Sequence, residues 1–191
     1  MLALVDCDNF YVSCERVFDA TLRRRAVVVL SNNDGCVISR SDEAKALGIR
    51  MGATILEARP VVEASGIEVR SSNYALYGDM SSRVMETLSA CAKRVERYSI
   101  DEAFVEIRGA NPVELCAAGH LMRERVRSWT GVPVSVGIAP TKTLAKLASR
   151  LARSSYKARG VVNLADSRYV TAALRRVPVG DVWGIGPRRA R

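Results

Sequence analysis

None of the five cysteines (Cys7, Cys14, Cys36, Cys91 and Cys116) stands in a Cys-x-x-Cys spacing, and their number is odd. That pattern argues against a disulfide framework and against a zinc knuckle. Cys14 and Cys91 fall in apolar, helix-like settings and are expected to be small core residues. The single histidine, His120, has no cysteine or carboxylate at ligand spacing and is expected to be structural. No apolar run approaches the ~20 residues that a membrane-spanning helix needs, and no signal-peptide pattern is present. A cytoplasmic protein with no membrane partner is therefore expected. Negative charge is scarce in one stretch: residues 123–191 carry 15 basic and 3 acidic side chains, against 14 basic and 17 acidic in residues 1–122. The net charge of +9 is thus the outcome of −3 in the first stretch and +12 in the second. A solvated basic surface would account for the second stretch alone. Beside an acidic cluster, it points instead to a catalytic part joined to a phosphate-seeking part, with nucleic acid as the partner.

What is present is an ordinary globular composition, 48% hydrophobic and 26% charged, over 191 residues. That is enough for one large domain or two small ones. The most informative run is Tyr98-Ser99-Ile100-Asp101-Glu102-Ala103-Phe104-Val105-Glu106-Ile107. Two adjacent carboxylates sit on a strand-like stretch, and Asp6 ends the first apolar strand, Ala3-Leu4-Val5. Three converging carboxylates repel one another and lose hydration unless something positive neutralises them. A pair of divalent cations does so, which suggests a metal site for phosphoryl chemistry.

The apolar pattern predicts a short strand at Ala3–Val5 and a helix over Asn9–Val17. Ala26–Leu30 and Cys36–Ser39 flank Asp34-Gly35, a hairpin signal. Ser41 caps a helix running through Leu47, stopped by Gly48. A short helix over Val61–Gly66 and a strand at Glu68–Arg70 follow. A longer helix over Tyr74–Ala92 carries Tyr77, Met80, Val84, Leu88 and Cys91 on one face. Val95–Tyr98 and Ala103–Ile107 read as antiparallel strands around the acidic pair. Pro112–Trp129 reads as helix, Val132–Ile138 as strand, Thr141–Arg153 as helix and Val161–Leu164 as a closing strand, with Arg153–Gly160 as a mobile loop. Omitting residues 20–73, the order is strand, helix, strand, strand, helix, strand. The expected class is α+β, ferredoxin-like (split βαβ), with residues 20–73 inserted.

Four runs occur together and in order: Asp6-Cys7-Asp8-Asn9-Phe10-Tyr11-Val12-Ser13-Cys14-Glu15, Ser99-Ile100-Asp101-Glu102, Pro140-Thr141-Lys142-Thr143-Leu144-Ala145-Lys146-Leu147-Ala148, and Val182-Trp183-Gly184-Ile185-Gly186. On these runs the chain resembles the Y-family translesion DNA polymerases, and within them the polymerase V-like branch. The resemblance implies a palm at residues 1–19 and 74–165, an inserted small fingers subdomain at 20–73, and the start of a helix-hairpin-helix thumb at 166–191. It implies error-prone synthesis on primer–template DNA during repair and SOS mutagenesis, with a primer 3′-hydroxyl attacking the α-phosphate of a dNTP.

By the same resemblance, Asp6, Asp101 and Glu102 would hold two Mg²⁺ ions, with the backbone carbonyl of Cys7 as a further ligand. Tyr11 matches the steric gate against a ribose 2′-hydroxyl. Asn9 and Phe10 would lie along the triphosphate, and Lys45 and Arg153 would grip its outer phosphates. Many relatives carry arginine in place of Lys45 and lysine in place of Arg153, which keeps charge and alters fork geometry. Asp42 stands where some relatives have tyrosine. Cys36, Ile38 and Ser39 would line the fingers over the nascent base pair, Ser39 also touching the nucleotide. Gly184, Gly186, Arg188 and Arg189 would contact DNA phosphates, with Pro187 opening the next helix. Implied partners are an accessory subunit, a recombinase filament and a sliding clamp; the clamp peptide and little-finger domain of such polymerases have no counterpart among these 191 residues. Two other readings fit parts of the pattern: a non-catalytic DNA-binding or assembly fragment, and a nucleotide cyclase on a similar palm. The cyclase leaves Tyr11, the insertion and the terminal hairpin unexplained.

Overall fold

The computed structural model describes residues 1–185, 189 and 190. In chain order its elements are β1 (Leu2–Cys7), α1 (Phe10–Phe18), β2 (Val27–Leu30), β3 (Val37–Arg40), α2 (Asp42–Ala46), α3 (Ile55–Ser65), β4 (Glu68–Arg70) and α4 (Tyr74–Cys91). They continue with β5 (Val95–Arg97), β6 (Glu102–Glu106), α5 (Pro112–Thr130), β7 (Val134–Ala139), α6 (Lys142–Ser154), β8 (Val161–Asn163) and α7 (Ser167–Leu174). Two compact units result. The first holds residues 1–8, 83–129 and 133–191, and the second holds residues 9–82 and 130–132.

The first unit is built on a five-stranded sheet of order β5-β6-β1-β7-β8. All its pairings are antiparallel except β7 with β8. The β1 run Ala3-Leu4-Val5 is buried on both faces, as a central strand requires. Alternation along β1 sets Leu4 and Asp6 on one face, opposite Phe104 and Glu102 of β6. On that face Leu4, Phe104, Ala139, Ala145, Leu147 and Ala148 form one core. Helix α6 lies against β7 and β1. The close approach needs small residues on both sides: a Cβ on Gly137 would stand 2.0 Å from the backbone nitrogen of Ser149.

The second unit carries a three-stranded sheet of order β3-β2-β4, with β2 and β3 joined as the expected hairpin through Asp34-Gly35. Asp34 takes a positive φ of 52° there, a conformation that suits Asp. Ser41 Oγ accepts the Ala44 amide and caps α2, and Gly48 follows with φ 86°. Its own core gathers Val28, Leu30, Val37, Ala44, Ile49 and Ile67.

Four local expectations differ from the structure. Helix α3 begins at Ile55 rather than Val61, because Thr54 and Glu57 form a reciprocal capping box upstream of Pro60. Pro60 removes only one N–H from that helix. Cys91 is half-buried, since the last turn of α4 ends beside Arg125, whose Nη1 lies 3.6 Å from Sγ. The stretch Arg153–Gly160 is structured: α6 runs to Ser154, a 3₁₀ turn spans Tyr156–Ala158, and Arg123 donates to the carbonyls of Val134 and Arg159, both at 2.6 Å. Helix α7, capped by Asp166, was not anticipated.

Cys14 does meet its expectation. It is fully buried, and burial, reinforced by the neighbouring Glu15 charge, pushes its thiol up to about 12. Against an ordinary thiol, that shift leaves about a thousandfold less thiolate near neutrality. Under native conditions iodoacetamide is expected to label Cys36, Cys91 and Cys116 well before Cys14, as followed by peptide mass spectrometry. Equal labelling rates for Cys14 and Cys36 would contradict this burial.

Candidate active site

The acidic face is set by strand register. Asp6 on β1 lies directly opposite Glu102 on β6, and the Cys7 amide donates to the Asp101 carbonyl at 2.9 Å. Facing residues in an antiparallel pair have Cβ atoms about 5 Å apart, where like charges destabilise. The strain shows in Asp6. Burial pushes its carboxyl up to about 7, Glu102 and Asp101 push the same way, and Arg153 opposes them.

Helix α6 supplies the opposing charge. Arg153 Nη2 pairs with Asp6, and its Nε donates to Asp8 Oδ1 at 3.0 Å. Burial disfavours the guanidinium charge, yet Asp6 and Asp8 outweigh it and raise the Arg153 pKa. Lys146 Nζ donates to Glu102 Oε2 at 3.0 Å, with both side chains largely buried. Asp101 accepts from Ser99 Oγ at 2.6 Å, and Asp8 accepts from Ser135 Oγ at 2.8 Å. Lys146, Arg150 and Arg153 recur at helical spacing on one face of α6. A cavity of about 300 Å³ opens there, lined by Leu4, Asp6, Glu102, Lys146, Arg153 and Trp183.

Among the described residues, no three His, Cys, Asp or Glu side chains converge as a ready-made metal-ligand set. Each acidic side chain instead turns to a cation or hydroxyl. The donors themselves fit a hard divalent cation: they are carboxylate oxygens, set opposite one another, and that of Asp6 is raised by burial first and by the Glu102 and Asp101 charges after it. Arg153 and Lys146 neutralise that charge in the arrangement seen.

The second unit gathers another part of the expected set. Asn9 caps α1 in the left-handed conformation, φ 49°. Its Nδ2 donates to Asp42 Oδ1 at 3.1 Å, and Lys45 Nζ donates to Asn9 Oδ1 at 2.6 Å and to Asp42 Oδ1 at 2.7 Å. Partial burial works against the Asp42 charge, but these hydrogen bonds hold its carboxyl below the usual range. Tyr11 is clamped among aromatics: its ring stacks on Tyr77 at 4.4 Å and meets Tyr74 edge-on at 6.0 Å. Tyr77 is fully buried and donates its hydroxyl to Glu15 Oε1 at 2.7 Å, so the platform beneath Tyr11 is rigid. Phe10 is buried beside Tyr11. Ser39 is also buried, its Oγ accepting the Val12 amide at 3.4 Å.

Of the residues expected at the terminal hairpin, Gly184 has φ 86° and its carbonyl accepts from Arg189 Nη1 at 3.5 Å. Gly186, Pro187 and Arg188 lie outside the described residues.

Residues 5–150 match the impB/mucB/samB family. The chain belongs to that family, a Y-family polymerase domain. It is 52% identical to Protein ImpB of Salmonella typhimurium, over 98% of this chain and 45% of that protein. To Protein UmuC of Salmonella typhimurium it is 49% identical with the same coverage, and to DNA polymerase IV of Corynebacterium diphtheriae 36% identical over 96% of this chain and 40% of that one. The chain thus spans about half the length of the curated relatives it matches. The crystal structure of DinB from Sulfolobus solfataricus superposes with a TM-score of 0.85 at 25% identity, over 100% of this chain and 55% of that one. Mixed α+β architecture like that of the N-terminal part of a Y-family polymerase is therefore what the described residues adopt.

Sequence reasoning missed several members of the site. Lys146 and Asp8 sit within the runs that carried the family resemblance, yet neither had a role. The spacing of Lys146 and Arg153 on α6 was the available signal. Nothing in the sequence announced that Trp183 lines the same cavity as Asp6.

Proposed function

We propose that this chain is the catalytic N-terminal part of a Y-family translesion DNA polymerase of the polymerase V type. Its five-stranded sheet is then a ferredoxin-like palm, its three-stranded sheet a small fingers subdomain, and residues 166–191 the beginning of a thumb. The observation that carries the reading is the facing pair Asp6 and Glu102, flanked by Asp101, in a chain of this family. Like-charged carboxylates set opposite one another repel, and they suit the binding of divalent cations that in turn hold phosphates.

In this reading Asp6, Asp101, Glu102 and the Cys7 carbonyl would hold two Mg²⁺ ions. Bound there, the ions supply activation of the attacking oxygen and neutralisation of charge on the phosphates. The reaction joins the primer 3′ oxygen to the α-phosphorus of a dNTP and breaks its bond to pyrophosphate. The chain's own residues bind and orient. Arg153, permanently charged, exchanges carboxylates for phosphate oxygens as a fork donor. Lys45 offers a point charge, and Asn9 holds it in place until phosphate competes. Phe10 and Tyr11 open α1, and the positive end of its helix dipole suits an anion. Tyr11, immobile on Tyr77, excludes a 2′-hydroxyl by contact. Basic residues beyond position 122 bind the DNA backbone without reading sequence.

The test is single-nucleotide extension of a primer–template with Mg²⁺ at high protein and DNA concentration. Template-directed incorporation that chelation stops supports the proposal. Retained DNA binding without incorporation would favour a binding or assembly part of such a polymerase.

Sugar choice provides a separate expectation. Tyr11→Ala should raise ribonucleotide incorporation relative to deoxyribonucleotide by about 100-fold or more, as a lost steric exclusion worth about 3 kcal/mol. Competing dNTP and rNTP primer extension reads the ratio. An unaltered ratio would remove Tyr11 from the gate.

A further inference from the structure

Lys146 makes three contacts that no single role explains. Its Nζ donates to Glu102 Oε2 at 3.0 Å. The same ammonium stands 4.5 Å from the Tyr98 ring centroid and 5.4 Å from that of Trp183. The two rings meet edge-on at 5.7 Å with an interplanar angle of 89°, and Phe104 backs both. Trp183 follows the Val179–Asp181 turn, which Asp181 ties to Arg150 of α6 at 2.5 Å. An ammonium that is drawn at once to a carboxylate and to two aromatic faces has a second resting place when the carboxylate is taken.

We infer that Lys146 is a positioning residue, the resident counter-ion of Glu102, which a divalent cation drives off the carboxylate and leaves held by the faces of Tyr98 and Trp183 alone. The inference rests on the proposed metal-binding role of Asp6, Asp101 and Glu102. While no cation is bound, Lys146 holds the Glu102 carboxylate in place opposite Asp6. When a divalent ion takes the carboxylate, repulsion moves the ammonium outward, and the aromatic pair holds it within the same cavity. The Trp183 environment therefore reports occupancy of the carboxylates.

The chain contains two tryptophans, Trp129 and Trp183, and Trp129 is exposed on α5. Trp129→Phe leaves Trp183 as the sole indole. Mg²⁺ alone is titrated into this protein, with binding followed by calorimetry and emission recorded in parallel. Mg²⁺ is not an intrinsic quencher, so an emission change reports movement of charge near the ring. A saturable emission change with the calorimetric midpoint is expected. In the Lys146→Met background, whose stem fills the same space, Mg²⁺ should bind about tenfold tighter because one nearby positive charge is gone. The emission response should vanish there and persist in Lys146→Arg.

Binding heat with silent Trp183 emission would overturn the inference and leave the metal reading standing. So would weaker Mg²⁺ binding by Lys146→Met, or an emission response that this variant retains. Absence of Mg²⁺ binding to the protein with Lys146 intact would overturn both. Circular dichroism establishes that each variant is folded.

Discussion

Asp101→Ala is expected to lower Mg²⁺-dependent nucleotide incorporation by at least about 10³-fold, equivalent to about 4 kcal/mol of transition-state stabilisation. The same change should leave the fold intact. Asp101 lies just before β6, is partly exposed, and accepts a hydrogen bond from Ser99 Oγ; losing that bond costs about 1 kcal/mol. Folding and activity thus separate cleanly. Asp6 would be a poorer choice, because its replacement also breaks the ion pair that ties Arg153 of α6 to β1 and leaves that guanidinium to Asp8 alone. Primer extension at matched DNA occupancy, with circular dichroism as the folding control, makes the comparison. Equal incorporation by both proteins would remove Asp101 from the metal assignment.

Gly137→Ala should be the most damaging single-methyl change in the first unit. Its Cβ would lie 2.0 Å from the Ser149 nitrogen, 2.2 Å from the Ala145 oxygen and 2.7 Å from the Ala148 carbonyl carbon, all backbone atoms of α6. No rotamer change relieves that clash, so helix and sheet must separate. A loss of about 3 kcal/mol or more is expected, which in a chain of this size lowers Tm by about 6–12 °C. Because α6 carries Lys146 and Arg153, its displacement also withdraws the two cations that face Glu102 and Asp6. Two other glycines bracket the effect. At Gly119 the added carbon meets the side-chain ends of Val161 and Ile138, at 2.9 and 3.2 Å, and those can yield. At Gly78, inside α4, nothing lies within 4 Å, and Gly78→Ala should stabilise by up to about 1 kcal/mol. Thermal melts of the three variants rank them. A Gly137→Ala protein as stable as Gly119→Ala would refute the close helix–sheet seat.

Much of this molecule is legible in its sequence. The Asp34-Gly35 hairpin, the Ser41 cap and the buried stripe of Tyr77, Met80, Val84 and Leu88 on α4 are local signals, carried by residues adjacent or one turn apart. The α3 start is legible too, in the Thr54 and Glu57 capping box, although Pro60 in the sixth position of that helix imitates a first-turn proline. The carboxylates were marked by their cost. Three carboxylates near strand ends call for neighbouring cations, whichever residues or metals provide them.

By itself, the sequence determined the residue types and their periodicities: an apolar strand ending in Asp6, an acidic pair beginning another strand, and a basic C-terminal stretch with hardly any acid in it. Those properties are short-range or compositional, so they survive without knowing the fold. Tertiary structure alone decided that Asp6 faces Glu102, that Arg153 reaches across 147 positions to Asp6, and that Lys146 rests between a carboxylate and the rings of Tyr98 and Trp183. The reason is register. A one-residue slip in β1 would turn Asp6 to the opposite face, and only the packing of α6 on Gly137 fixes how far its cations extend over the strands.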